Sequence, residues 1–292
     1  MKIRAPAKIN LSLRVVGKRA DGYHLLDTIM VAVSLYDEID IRKLRAASKH
    51  QAGHELIKIS CDHPDVPPAE GNIVYRAVQL ILKKSHRAQP ISIHIKKNIP
   101  VGAGLGGGSS DAAATLVGLN RLFKLRLSIA TLKKMALSLG ADLPFFIQAR
   151  PMRAQGIGEQ LRPLRDLPHF WAVIIYPGFP VSTAWVYGKL GRKLTKPIVN
   201  TSIMPSLKSF DGLTRPLEND LEGVTLKRYP KIGVLKQKLL HEGALRVLMS
   251  GSGSSVFGIF VSKQAAAKAF RRLRQEEGSQ AFLVHALNKD QA

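Results

Sequence analysis

One glycine-rich stretch decides how this chain of 292 residues folds: Pro100-Val101-Gly102-Ala103-Gly104-Leu105-Gly106-Gly107-Gly108-Ser109-Ser110-Asp111. Glycine lets the backbone adopt positive φ and approach a ligand closely, and five glycines in seven residues exceed what one tight turn requires. An alternating strand pattern precedes the stretch, and a helix is predicted from about Ser110 to Phe123. Backbone N–H groups and the positive end of the helix dipole therefore meet in the loop. The stretch predicts an anion site suited to phosphate.

The loop belongs to neither common class of phosphate loop. Gly102, Gly104 and Gly107 fit the pattern G-x-G-x-x-G, but a dinucleotide-binding fold also needs an acidic residue about twenty positions on. The region 125–130 contains none. No Gly-Lys-Ser/Thr follows, as a Walker motif requires, and the His-Arg-Asp and Asp-Phe-Gly motifs of protein kinases are absent from the sequence. Ser109 and Ser110 offer hydroxyls for phosphate or a metal ion; alternatively, one of them caps the helix.

Two charged residues are candidates to complete a phosphoryl-transfer site, which needs a group to position the nucleophile, positive charge and usually Mg²⁺. Asp142 follows Gly140 and precedes an apolar segment that begins at Leu143, and a carboxylate in apolar surroundings needs a partner. Lys8 lies at the start of an apolar strand and shares a face with Asn10. On local grounds alone, Asp142 could instead be a turn aspartate with satisfied hydrogen bonds, and Lys8 an exposed strand lysine.

Five segments together, in their order and spacing, resemble the superfamily of galactokinase, homoserine kinase and mevalonate kinase (GHMP kinases). They are Ala5-Pro6-Ala7-Lys8-Ile9-Asn10-Leu11, Gly22-Tyr23-His24, the glycine-rich stretch 100–110, Gly140-Ala141-Asp142-Leu143-Pro144 and Met249-Ser250-Gly251-Ser252-Gly253. Within the superfamily, the match is closest to the kinases of 4-diphosphocytidyl-2-C-methyl-D-erythritol in the non-mevalonate isoprenoid pathway. The resemblance spans essentially the whole chain. Residues 148–153 depart from it, because they are more basic and contain less glycine than the family pattern.

The resemblance implies an α+β, two-domain GHMP-kinase fold. Its N-terminal half is similar to ribosomal protein S5 domain 2, and its C-terminal half is ferredoxin-like. We expect residues 1–155 to form the N-terminal ATP-binding and catalytic domain. Residues 156–292 are expected to form the C-terminal substrate-binding domain.

The resemblance also assigns the catalytic residues. It implies ATP-dependent phosphorylation of the 2-hydroxyl of the substrate, with Asp142 as the base or the orienting group for that hydroxyl. Lys8 would pair with Asp142, because an adjacent cation favours the charged form of a carboxylate.

Further residues would bind the two small molecules. On the substrate side, Asn10 would lie near the reacting carbons, His24 would hydrogen-bond the cytosine edge, and Tyr23 and Tyr187 would sandwich the cytosine ring. Thr183 is a further substrate contact.

On the ATP side, the loop 100–110 would hold the phosphates, and Asn72 and Lys97 would lie near the adenosine. Mg²⁺ would be held mainly by the ATP phosphates, and Ser110 is the single protein candidate to touch it.

The composition limits the remaining possibilities. The chain is 45% hydrophobic and 22% charged, which is typical of a globular protein. The formal net charge of +23 favours anionic partners, which include nucleic acid as well as phosphorylated small molecules. The cationic residues form no dense block, however, and no nucleic-acid recognition motif occurs. Cys61 is the single cysteine, so no intrachain disulfide can form. We expect a cytoplasmic protein without a membrane partner, as a monomer or homodimer.

Two alternatives to this function are kept. The first is another GHMP small-molecule kinase, of the homoserine or mevalonate type. The segment Gly22-Tyr23-His24 argues against it, because homoserine and mevalonate contain no cytosine for these side chains to bind. The second, which the charge of +23 motivates, is a basic nucleic-acid-binding protein.

Overall fold

The computed structural model describes residues 1–44, 56–85, 89–165, 167–190 and 217–288. The chain divides into two compact units, each built from several segments. The first unit comprises Met1–Ala7, Tyr36–Val101 and Gly107–Gln148, and the second comprises Lys8–Leu35, Gly102–Gly106 and Ala149–Ala292. The domain boundary at residue 155 therefore stays a prediction.

Two long strands contribute to both units: β1 (Lys2–Lys18) and β2 (His24–Lys43), which pair with each other. The other elements of the first unit are β3 (Ile57–Cys61), a 3₁₀ helix (Ala69–Gly71), α1 (Ile73–Ser85), β4 (Ile91–Lys96), α2 (Gly107–Leu122), α3 (Ile129–Leu137) and α4 (Leu143–Phe146). The second half of β2 pairs antiparallel with β4, and β4 pairs parallel with β3. Isoleucines at every second position of β4 are buried, and the helices pack on this face.

The second unit contains a four-stranded antiparallel sheet in the order β10-β7-β9-β8. Its elements are β5 (Met152–Gly156), β6 (Gln160–Pro163), β7 (Trp171–Tyr176), α5 (Thr183–Lys189), α6 (Glu222–Arg228), α7 (Pro230–His241), β8 (Arg246–Met249), β9 (Val256–Phe260), α8 (Lys263–Leu273) and β10 (Gln280–His285). All five residues of β9 are buried, because α7 and α8 pack against it. The first half of β2 pairs antiparallel with β5, which pairs with β6. None of the helices in the described segments is long and apolar enough to span a membrane.

The structure confirms the α+β class and changes several element boundaries. The apolar runs 29–33 and 39–41 each favour a strand, and the structure shows that both are parts of the single strand β2. The helix expected from Ser110 begins at Gly107, inside the glycine-rich stretch. Ser128 caps α3, because its side chain accepts a hydrogen bond from the Thr131 N–H.

Some elements were missed by the sequence patterns. The polar, proline-containing segment 46–71 favours a loop, but its described part contains β3 and the 3₁₀ helix. The glycines at 156 and 158 interrupt the sequence pattern at the end of β5, in which buried Met152 and Ala154 alternate with more polar residues. The basic sequence that extends to about residue 217 also favours a loop, but it contains α5, and residues 191–216 lie outside the described residues.

Candidate active site

The second unit fixes the first part of the glycine-rich loop through its carbonyl groups. Gly102, Gly104 and Gly106 all have positive φ, at 65°, 77° and 72°. The carbonyls of four successive residues accept hydrogen bonds, at 2.9–3.1 Å: those of Gly102, Ala103, Gly104 and Leu105. No backbone N–H of 102–106 donates a hydrogen bond within the part of the chain that the structure describes. Backbone N–H groups without a hydrogen-bond partner can bind an anion.

The turn 250–255 holds this loop in place. The Ser250 hydroxyl donates to the Gly104 carbonyl at 3.0 Å, and the Ser255 N–H donates to the Ala103 carbonyl at 3.1 Å. A Cβ atom on Gly104 would lie 2.1 Å from the carbonyl oxygen of Ser250, so only glycine fits. The C-terminal motif 249–253 thus shapes the glycine-rich loop through close backbone packing.

In the first unit, the start of α2 carries a buried hydroxyl without a partner. Ser110 is 1% exposed, and its Oγ makes no hydrogen bond. Asn72, ahead of α1, is 4% exposed; its Oδ1 accepts a hydrogen bond from the Val74 N–H at 2.9 Å, but its Nδ2 has no partner. A buried polar group without a partner costs about 1–3 kcal/mol. The Ser110 hydroxyl and the Asn72 side-chain nitrogen are therefore available to bind a ligand.

Beneath the same turn of α2, Lys97 lies between two buried carboxylates. Its ammonium donates to Asp37 and, at 2.8 Å, to Asp111. Asp37 Oδ1 also accepts hydrogen bonds from the N–H groups of Asn98 and Ile99, whereas Asp111 Oδ1 has no partner. Burial raises the pKa of Asp111 to about 8, against the opposing charge of Lys97. Asp111 therefore carries the proton at neutral pH, and one carboxylate balances the lysine.

Asp142 lies at the N-terminal end of α4 in the first unit. It is half-buried, and its side chain does not cap the helix. The catalytic role of Asp142 stays a prediction, and so does the alternative of a turn aspartate with satisfied hydrogen bonds.

In the second unit, Lys8 is buried on β1. It is 4% exposed, so the alternative of an exposed strand lysine was wrong. The Lys8 ammonium donates to Asn10 Oδ1 at 2.5 Å, and the Lys8 N–H donates to the Leu105 carbonyl at 2.9 Å. A Cβ atom on Gly251 would lie 3.1 Å from Lys8 Nζ. The structure thus brings Lys8, the glycine loop and the turn 250–255 together.

Comparisons with known proteins agree with this geometry. The model of the GHMP kinases N terminal domain matches residues 72–150, and that of the GHMP kinases C terminal domain matches 203–280. A 4-diphosphocytidyl-2-C-methyl-D-erythritol kinase from Citrifermentans bemidjiense is 45% identical over 98% of this chain and 99% of its own length. The chain belongs to this kinase family. Another member, from Syntrophus aciditrophicus, is 46% identical over 92% of this chain and 93% of its own length.

Solved structures show that the chain shares its fold with other kinases. A crystal structure of 4-(cytidine 5'-diphospho)-2C-methyl-D-erythritol kinase is 34% identical, covers 98% of this chain and 99% of that chain, and has a TM-score of 0.82. Homoserine kinase from Cytophaga hutchinsonii has a TM-score of 0.75 at 20% identity, with coverage of 99% of this chain and 94% of that chain, and shows the shared fold alone.

The residues expected at the cytosine end of this kinase lie in the second unit. The ring of His24 stacks on Tyr187, with centroids 5.1 Å apart, whereas Tyr23 is 59% exposed. Burial, with a smaller effect of the Lys18 charge, lowers the pKa of His24, so the ring is neutral at pH 7. The Thr183 and Ser252 hydroxyls are hydrogen-bonded at 2.8 Å. The sandwich of Tyr23 and Tyr187 around cytosine stays a prediction.

The departure from the family pattern at 148–153 has a local explanation. Arg153 forms a bidentate ion pair with Asp27 on the neighbouring strand β2. Its Nε donates to Asp27 Oδ1 at 2.7 Å, and its Nη2 donates to Asp27 Oδ2 at 2.5 Å. The added positive charge is thereby matched by a carboxylate of the same unit.

Some predicted roles remain predictions. Lys8 belongs to the second unit and Asp142 to the first, and their pairing stays a prediction. The Lys97 ammonium is bound to its two carboxylates, and its proximity to adenosine also stays a prediction. The sequence reasoning missed Asp37 and Asp111. The position of Asp111, directly after Ser110 in a helix start that should bind anions, was the signal that it needed a counter-charge.

The residues present also fit a magnesium ion that arrives with the nucleotide. Among the described residues, no group of three or more His, Cys, Asp or Glu side chains could hold a metal ion. The Ser110 hydroxyl without a partner is an oxygen ligand of the kind that Mg²⁺ accepts.

Proposed function

We propose that this protein transfers the γ-phosphoryl group of ATP to the 2-hydroxyl of 4-diphosphocytidyl-2-C-methyl-D-erythritol. The observation that carries the proposal is the glycine loop, in which the carbonyls of 102–105 accept hydrogen bonds while the N–H groups of 102–106 donate none among the described residues. The substrate follows from relatives of that name that match nearly the whole chain.

At the ATP end, the N–H groups of the loop 100–110 would bind the phosphates. Ser109 and Ser110, in the first turn of α2, would add hydroxyls where the helix dipole favours negative charge. Asn72 would use its buried Nδ2 for the nucleoside. Mg²⁺, with Ser110 as its one protein ligand, would neutralise charge on the phosphates.

At the reacting hydroxyl, Asp142 would accept the proton. The hydroxyl oxygen then attacks the γ-phosphorus, the bond from this phosphorus to the bridging oxygen breaks, and ADP leaves. Lys8 would supply positive charge for the groups that gain negative charge during the transfer, an electrostatic contribution that is large in a buried site.

At the cytidine end, the neutral His24 ring can both donate and accept a hydrogen bond, as recognition of a base edge requires. Tyr23 and Tyr187 would stack on the cytosine, since planar bases favour aromatic neighbours. Asn10 and Thr183 would contact the methylerythritol part. A cytoplasmic location and a monomeric or dimeric state remain part of this proposal.

A panel of acceptor alcohols tests the proposal. The purified protein is incubated with ATP and, separately, with 4-diphosphocytidyl-2-C-methyl-D-erythritol, homoserine or mevalonate, and the phosphorylated product is measured by ³¹P NMR. We expect transfer to the first alcohol alone. We expect Asp142→Ala to lower kcat by several orders of magnitude and to keep ATP binding, because the lost group acts on the acceptor hydroxyl.

Preferential phosphorylation of homoserine or mevalonate would overturn the substrate assignment. Normal turnover by Asp142→Ala would show that Asp142 does not accept the proton of the acceptor hydroxyl. Absence of any transfer, together with tight RNA binding that weakens steeply with salt, would support the nucleic-acid alternative instead.

A further inference from the structure

A short chain of hydrogen bonds links Lys8 to a threonine on the neighbouring strand. The Lys8 ammonium donates to Asn10 Oδ1 at 2.5 Å, and Asn10 Nδ2 donates to Thr28 Oγ1 at 2.8 Å. The Thr28 hydroxyl in turn donates to the Ser12 carbonyl at 2.6 Å. Lys8, Asn10 and Thr28 are each at most 4% exposed, and all belong to the second unit.

The two ends of this chain fix its direction. An ammonium group can only donate, so the amide oxygen of Asn10 must face Lys8. A backbone carbonyl can only accept, so the Thr28 hydroxyl gives its proton to Ser12 and offers a lone pair to Asn10. An isolated amide can flip by 180°, but here one orientation satisfies every group.

We propose that Thr28 is a positioning residue, which sets the orientation of the Asn10 amide and, through it, the place of the Lys8 ammonium. This inference rests on the proposed function, in which Lys8 acts on the phosphoryl transfer. Without the Thr28 hydroxyl, the Asn10 amide loses the acceptor for its NH₂ group. If the amide flipped, its NH₂ group would face the Lys8 ammonium, and two hydrogen-bond donors would then meet in a buried site.

The surrounding backbone limits other arrangements. A Cβ atom on Gly251 would lie 3.1 Å from Lys8 Nζ and 3.5 Å from Asn10 Oδ1, so the turn 250–255 covers both groups closely. The turn therefore limits how far either group can shift from its present position. Small displacements of a group at the reacting centre lower the reaction rate by large factors.

Two variants of Thr28 separate the hydroxyl from the shape of the side chain. Thr28→Val keeps the shape and removes the hydroxyl, whereas Thr28→Ser keeps the hydroxyl. We expect Thr28→Val to lower kcat by about ten- to a hundredfold, with KM for ATP within about twofold, and Thr28→Ser to recover most of kcat. Thr115→Val is the matched control, because Thr115 is a buried threonine whose hydroxyl donates to a backbone carbonyl at 2.8 Å in the first unit.

A second measurement does not depend on activity. In ¹H–¹⁵N NMR spectra, the Asn10 side-chain NH₂ should exchange slowly with solvent in the unmodified protein and in Thr28→Ser, and rapidly in Thr28→Val. If no acceptor is phosphorylated, the proposed function fails, and this exchange still decides the role of Thr28 in holding Asn10.

Two results would overturn the inference. One is an unchanged kcat in Thr28→Val while the unmodified enzyme turns over normally. The other is an equal loss of kcat in Thr28→Val and Thr28→Ser, which would show that the methyl group, and not the hydroxyl, matters.

Discussion

Each unit of this protein contains a lysine with a buried side chain, Lys97 in the first and Lys8 in the second, and the two lysines meet different kinds of acceptor. Lys97, in the first unit, is held between Asp37 and Asp111. Lys8, in the second unit, donates to the amide oxygen of Asn10, which carries no charge. The carboxylate of Asp37 balances the charge of Lys97, whereas the Lys8 ammonium donates to a neutral amide oxygen that orients it. The acceptor that a buried lysine meets thus separates a structural lysine from a candidate catalytic one.

The largest expected effect comes from Lys97→Met. It leaves two buried carboxyl groups without their cation, and removal of one partner of a buried ion pair costs about 3–5 kcal/mol. We therefore expect the free energy of unfolding, measured with urea, to fall by about that amount. Lys58→Met, at an exposed position of β3, is the control and should change it by less than about 0.5 kcal/mol.

Addition of Asp111→Asn to Lys97→Met should restore part of this stability, because Asp37 keeps its two backbone N–H donors. Unchanged stability of Lys97→Met would contradict a structural role for this lysine.

Lys8→Met should have the reverse outcome. We expect kcat for the proposed reaction to fall by about 100- to 1000-fold, as for removal of one charge-stabilising donor, with a comparatively small change in unfolding free energy. Lys2→Met, an exposed change on the same strand β1, is the control. Steady-state kinetics and urea unfolding measure both effects. A variant with normal kcat but much lower stability would place Lys8 in the same class as Lys97.

The smallest effect is the pH dependence that Asp111 creates. Its pKa of about 8 lies above its ordinary value of 3.8, so between these values the folded protein holds a proton that the unfolded chain has lost. The contribution of Asp111 to stability therefore decreases as the pH rises, by at most about 1.4 kcal/mol for each pH unit.

Asp111→Asn should remove this loss, so its advantage over the unmodified protein in urea unfolding should be greater at pH 7 than at pH 6. Asp65→Asn, at an exposed position, serves as the control. An advantage that is equal at the two pH values would show that Asp111 is ionised throughout this range.

The sequence singled out Lys8 and contained no signal for the surroundings of Lys97. Lys8 lies in a motif whose order with the glycine loop and Asp142 indicates a kinase; its catalytic role stays a prediction, and its burial, which the sequence left open, comes from the structure. The environment of Lys97 depends on pairing between β2 and β4, which brings Asp37 within reach from 60 positions away. Local patterns carry no information on such pairing, so the ion-pair cluster was missed.

The same limit applies to the loop itself. The glycines at 102–106 were attributed to the close approach of a ligand, and positive φ was expected. The structure adds a second cause for Gly104, which is the carbonyl of Ser250 in a turn far along the chain. The β5 and β6 strands were missed because each is short and polar on one face.

The hydrogen bond from Ser250 to Gly104 also has a consequence for synthesis of the protein. The two residues are 146 positions apart, so the glycine-rich loop emerges from the ribosome long before the turn that packs against it. At about 5–20 residues per second, the delay is roughly 7 to 30 s. During that interval the nascent loop lacks the two hydrogen bonds that Ser250 and Ser255 donate to the carbonyls of Gly104 and Ala103. A chain that ends before residue 250 never forms them.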